Sequence, residues 1–211
     1  MKKIIIILLF ATLSCNKHNL ENKHNVEIEP GFTKIGKSFN DRDKLIVKIE
    51  PNRKYQYWEY VFSQPYFKTN QDRIIYQSGD PSLKLKYKFI NPKKGFFNEC
   101  HPALCYSYIA YVENGKVNYI TDENQLKNFI GNITTLEEAI LIGKINDLWF
   151  DSEKIEGGAY KKIKNGYELY LMKYDNCPIK MESIKVHIDS TGKFTSKKNG
   201  IYYESDDCIM S

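Results

Sequence analysis

The chain is built mostly from short runs in which apolar and polar residues alternate, and the runs are cut by strong turn signals. Leu45, Val47 and Ile49 alternate with Lys44, Lys48 and Glu50, and Leu83, Leu85, Tyr87 and Phe89 alternate with lysines. Period-2 patterning of this kind predicts half-buried strands. The turns carry their own chemistry: Ser78-Gly79-Asp80-Pro81, Asn114-Gly115, Gly157-Gly158, Asn165-Gly166 and Asp189-Ser190-Thr191-Gly192. Asn-Gly is the strongest short hairpin signal, because both central residues of a tight hairpin turn need positive φ. Hairpins are therefore expected at 72–77 with 83–89, at 106–112 with 116–120, and at 159–163 with 167–174. Strands are further expected at 181–188, 193–196 and 201–204.

Only one region reads as helical. Thr121 and Asp122, followed by Glu123 and Asn124, make an N-terminal cap, and Leu126, Phe129 and Ile130 form an apolar stripe ended by Gly131. Thr134 and Thr135 then precede Glu137 and Glu138 at capping-box spacing, with Leu136, Ala139, Ile140 and Ile142 running to Gly143. Strands on both sides of a short central helical pair predict an α+β fold: mostly antiparallel β-sheet hairpins, with the pair packed on one face. A repeat architecture would need a period of about 20–50 residues, which the chain lacks. No Pro/Gly/Ser-rich linker interrupts residues 44–208, so 44–211 reads as a single globular domain, with Pro92 to Gly95 the alternative boundary.

Met1, Lys2 and Lys3 lead an apolar run from Ile4 to Ala11, and small or hydroxylated residues follow, which is the make-up of a secretory signal peptide over 1–14. The run is too short to span roughly 30 Å of hydrocarbon as a permanent helix. Thr12-Leu13-Ser14-Cys15 resembles the lipobox of bacterial lipoproteins, although the commonest pattern has leucine three places before the cysteine, where this chain has Thr12. The resemblance covers the first fifteen residues and implies acylation of Cys15. It also implies a cell-envelope location, anchored to the membrane by lipid. Asn16 after the cysteine implies sorting to the outer membrane, facing the periplasm or the cell surface. Residues 15–43 then read as the lipidated cysteine and a flexible tether, disordered to about Asn25, since scattered Val26, Ile28, Phe32, Ile35 and Phe39 bury too little to offset ordering entropy.

Export places the remaining cysteines, Cys100, Cys105, Cys177 and Cys208, where disulfides persist. Of three pairings the favoured one joins Cys100 to Cys105 and Cys177 to Cys208, worth about 2 and about 4 kcal/mol in the chain-entropy model. Cys100 beside His101 admits a metal or redox reading as well, but zinc sites bring a second ligand pair and thioredoxin-like sites use C-x-x-C.

Losing Lys2 and Lys3 with the signal lowers the formal charge from +5 to +3, too little to argue for nucleic acid. Lys84, Lys86 and Lys88, like Lys161, Lys162 and Lys164, read as solvated strand faces, with a stripe facing phosphate or anionic lipid headgroups the lesser reading. The chain carries no phosphate loop, nucleophile elbow or metalloprotease helix, and no cofactor or metal motif. Asp206-Asp207 reads as a solvated tail and Glu137-Glu138 as a helix cap, while His187 beside Asp189 lacks a placeable nucleophile.

Aromatic content is the more informative feature. Tyr55, Tyr57, Trp58 and Tyr60 cluster, with Tyr66 and Phe67 close behind and Tyr106, Tyr108 and Tyr111 later. Such clusters supply rigid amphipathic contact area, so they are either a binding patch or strand residues filling a core. The reading that follows is a non-enzymatic, membrane-anchored envelope lipoprotein that binds another envelope protein or a glycan through Tyr55, Tyr57, Trp58 and Tyr60. The alternatives are an enzyme acting on envelope polymer and an anchored inhibitor or immunity protein.

Overall fold

The computed structural model describes residues 26–65, 72–98, 100 and 104–209. The signal peptide, Cys15, Tyr66, Phe67 and His101 lie outside them. In chain order the elements are β1 (Thr33–Lys34), a 3-10 turn (Lys37–Phe39), α1 (Arg42–Ile46), β2 (Tyr57–Ser63), β3 (Arg73–Gly79) and α2 (Ser82–Lys86). They continue with β4 (Tyr106–Glu113), β5 (Lys116–Ile120), α3 (Glu123–Ile130) and α4 (Leu136–Ile145). The last four are β6 (Gly158–Ile163), β7 (Gly166–Asn176), β8 (Ile179–Asp189) and β9 (Phe194–Ser205).

The strands form two sheets rather than one, ordered β3-β2-β4-β5 and β1-β6-β7-β8-β9. Every pairing in them is antiparallel. The α+β class and the antiparallel pairing are therefore as the sequence pattern indicates. The Asn-Gly turn between β4 and β5 has both central residues at positive φ, Asn114 at 51° and Gly115 at 72°, which is the twist a right-handed hairpin requires.

Two of the expected strands are helical. Asp41 accepts from the amides of Asp43 and Lys44 and starts α1, so Leu45, Ile46 and Ile49 are buried at helical spacing instead of alternating. Asp80 accepts from the amide of Ser82 in a turn just ahead of α2, whose N-cap is Pro81, and β3 pairs with β2 instead of with residues 83–89. In both places a short aspartate side chain bonded to nearby backbone, capping α1 and turning the chain ahead of α2, outcompetes an alternation only a few residues long. The segments 193–196 and 201–204 join into one strand, β9, whose register shifts twice against β8.

The segment read as tether joins the fold from residue 26. Thr33 pairs with Tyr160, Phe32 packs against the Tyr170 ring at 4.7 Å, and Ile35 is fully buried. An isolated pair of residues in β1 gains its stability from these contacts, which no local sequence pattern announces.

One core cluster draws on both sheets and on α1, α3 and α4. Phe129 of α3 packs edge-on against Trp58 at 5.1 Å, and Gly143 of α4 faces Leu171 of β7 so closely that a Cβ there would lie 2.5 Å from its methyl carbon. That approach accounts for a glycine inside α4, which runs on past it to Ile145. Gly131 does end α3, at φ 73°, with Asn52 against it. The disulfides are Cys100–Cys105 and Cys177–Cys208.

Candidate functional site

The tyrosine and tryptophan cluster on β2 is core, not surface. Tyr57, Trp58 and Tyr60 are 1 %, 5 % and 0 % exposed, and half-buried Tyr55 is wedged between Tyr111 and Phe129. Of the four residues read as a contact patch, the three in β2 are therefore interior, since both faces of that strand are covered, and Tyr55 is partly accessible. Trp58 looks into the main core, while Tyr57 turns to the opposite face and donates to Glu59 at 2.7 Å. Burial and the adjacent Glu59 carboxylate push ionisation of the Tyr57 hydroxyl upward.

His187 and Asp189 do not make a dyad. His187 is exposed, and Asp189 accepts from the amides of Thr191 and Lys193 and from the Thr191 hydroxyl at 2.6 Å, closing the β8–β9 turn. Those bonds, the Thr191 hydroxyl first, hold the Asp189 carboxyl below its ordinary value. Among the described residues no group of histidine, cysteine, aspartate and glutamate side chains could hold a metal ion.

A cleft of about 380 Å³ opens beside the end of α4. Three segments build it. After Ser107 and Phe96 exchange backbone bonds at 2.8 and 2.9 Å, the chain turns at Phe97, whose amide donates to Glu123 in the first turn of α3. After α4, Asp147 turns the chain into Leu148 and Trp149, and Trp149 exchanges backbone bonds with Met172 of β7 at 3.0 and 2.7 Å. Tyr174, two residues farther along β7, completes the wall.

The walls are aromatic and the fittings are charged. Lys144 holds its ammonium 5.0 Å from the Trp149 ring and 5.9 Å from the Phe97 ring, and the Arg42 guanidinium lies 5.5 Å from Phe97. Cations at such distances are attracted to the ring faces. Glu123 and Asp147 add carboxylates to the same lining.

The backbone here is unusual. Among the described residues three non-glycine positions have positive φ: Phe97 at 57°, Asn114 at 51° and Asp147 at 59°. Asn114 belongs to the β4–β5 turn; the other two line the cleft. Left-handed backbone costs on the order of 1–2 kcal/mol at an ordinary residue, and a bulky one such as phenylalanine is a genuine outlier. Strain of this kind collects at binding and active sites, where neighbouring structure holds it in place.

Sequence reading gives none of these residues a site role, and reads Glu123 as part of a helix cap. The available signal was Asn146-Asp147, which are among the residues most tolerant of left-handed backbone after a helix, placed just before Leu148-Trp149. Phe97 and Glu123 meet only through tertiary structure. No family model, no curated protein and no solved structure matches the chain.

Proposed function

We propose that the protein is an envelope lipoprotein, acylated on Cys15 and held at the outer membrane, that works as a non-enzymatic binding module through the Phe97–Trp149 cleft. The single observation that carries the binding site is the cleft itself: half-buried Trp149 and exposed Tyr174 beside Lys144, Glu123 and Asp147, with buried Phe97 in the lining and left-handed non-glycine backbone at Phe97 and Asp147. Apolar walls with a few convergent polar groups are what a concave ligand site needs. Aromatic rings and carboxylates in one lining suit an envelope glycan, whose sugars present C–H faces to aromatic rings and hydroxyls to carboxylates. In the same reading the helical pair of α3 and α4 is a layer that positions Glu123 at one end and Lys144 and Asp147 at the other.

Isothermal titration of soluble peptidoglycan fragments and envelope oligosaccharides into the protein tests this. At least one is expected to bind saturably and to weaken about tenfold or more in Trp149→Ala, since base-stacking-like aromatic contacts carry roughly 1–3 kcal/mol. Binding that survives Trp149→Ala unchanged, or no binding across the set, contradicts the cleft as the site.

A further inference from the structure

Residues 80–92 cross the outer face of the four-stranded sheet as a strap. Its inner side is well held. The Asp80 amide donates to the Gln56 carbonyl, Lys84 pairs with buried Glu59, and Phe89 meets the Tyr57 ring edge-on at 5.9 Å. Farther along, the Ile90 amide donates to the Tyr119 hydroxyl at 2.8 Å, and the Tyr106 hydroxyl donates to the Pro92 carbonyl at 2.7 Å.

Its outer side is a different surface. Leu85 is 90 % exposed and Ile90 64 %, the two most exposed large apolar side chains among the described residues. Lys86, Lys88, Lys93 and Lys94 are exposed around them. From Pro81 to Asn98 the chain has five lysines and no acidic residue. Among the described residues, Lys84 is paired with a carboxylate, that of Glu59, on the inner side.

We infer that this outer face of the strap docks on an anionic phospholipid surface, with Leu85 and Ile90 entering the headgroup region and the four exposed lysines above anionic headgroups. Charge complementarity selects the sign of the partner, since a basic segment is drawn to an anionic bilayer within about one Debye length. The exposed leucine and isoleucine select a bilayer over a soluble acidic polymer: interfacial docking buries apolar area, which a hydrated polyanion cannot offer. The inference stands apart from the cleft, and it does not depend on acylation of Cys15.

The test uses the full-length chain carrying Leu85→Trp, a change at a side chain already out in solvent. It is mixed with vesicles of brominated phosphatidylcholine, with and without an equal amount of phosphatidylglycerol, and emission is compared with the unsubstituted chain. Expected are a blue shift and quenching on the anionic vesicles alone, both reversed by high salt. Adding Lys86→Glu and Lys88→Glu is expected to weaken association about tenfold or more. An N-terminal anchor acts on both kinds of vesicle alike, so its failure shows as poor association with the neutral ones, whereas failure of docking shows as an unquenched Leu85→Trp on the anionic ones. Equal quenching on both vesicles, no quenching on the anionic ones, or a shift produced by dextran sulfate but not by vesicles each overturns the inference.

Discussion

The buried carboxylate of Glu138 accepts from backbone amides of two distant segments. Its oxygens take the amides of Thr134 and Thr135 at 2.8 and 3.0 Å, the Thr134 hydroxyl at 3.2 Å and the Glu50 amide at 2.9 Å. The first part was legible, because Thr135 and Glu138 stand at capping-box spacing and the box is formed. The reach to Glu50 was not, since those residues lie 88 apart in sequence and only the packing of α1 against α4 brings them together. Glu138→Ala strands several amides away from water and is expected to destabilise the protein by about 3 kcal/mol, against about 1 kcal/mol for Thr135→Ala, which removes the cap alone. Denaturant midpoints at unchanged slope measure both; equal losses for the two would show that the Glu50 bond contributes nothing.

At the scale of the element, legibility followed how far each signal had to reach. The β4–β5 and β6–β7 hairpins close on Asn-Gly turns, so adjacent residues determine them. Helices α1 and α2 were hidden beneath alternating patterns that the side chains of Asp41 and Asp80 override, and β1 beneath a polar segment because its partner β6 is distant. The strap shows the same dependence. Glu59 lies in β2 at 1 % exposure, and its companions are the Tyr57 hydroxyl and the Lys84 ammonium delivered by α2. Removing one partner of a buried pair leaves a charge without compensation, so Lys84→Ala is expected to cost about 3 kcal/mol. Lys84→Met with Glu59→Gln, measured as a double-mutant cycle, is expected to restore part of that loss. Additive losses would mean that the pair does not couple the strap to β2.

Across the whole molecule, buried tyrosines contribute to the response to alkali. Burial, ahead of any neighbour, pushes the hydroxyls of Tyr57, Tyr60, Tyr108 and Tyr202 to ionise well above the ordinary value near 10. The native state therefore keeps protons that the unfolded chain releases, so the stability they confer is full below about pH 10 and falls as pH rises beyond it, by up to about 1.4 kcal/mol per pH unit for each such tyrosine. Denaturant midpoints between pH 8 and 11, followed beside tyrosinate absorbance, check this; a midpoint level through pH 11 would contradict it.

The same burial explains why the site was the least legible part of the chain. Aromatic residues at Tyr57, Trp58 and Tyr60 read equally well as patch or core, and only the covering of both faces of β2 decides for core. The cleft is assembled from the ends of α3 and α4, the turn at Phe97 and the edge of β7, none of which is contiguous in sequence. Its one advantage for experiment is that the chain has two tryptophans, one in the core and one in the cleft. The most direct test is to follow the two indole N–H resonances while peptidoglycan fragments and envelope oligosaccharides are added to the isotope-labelled protein. A saturable shift of Trp149 with Trp58 unmoved is the predicted result, and a ligand that binds while Trp149 stays unmoved would contradict the cleft as the binding site.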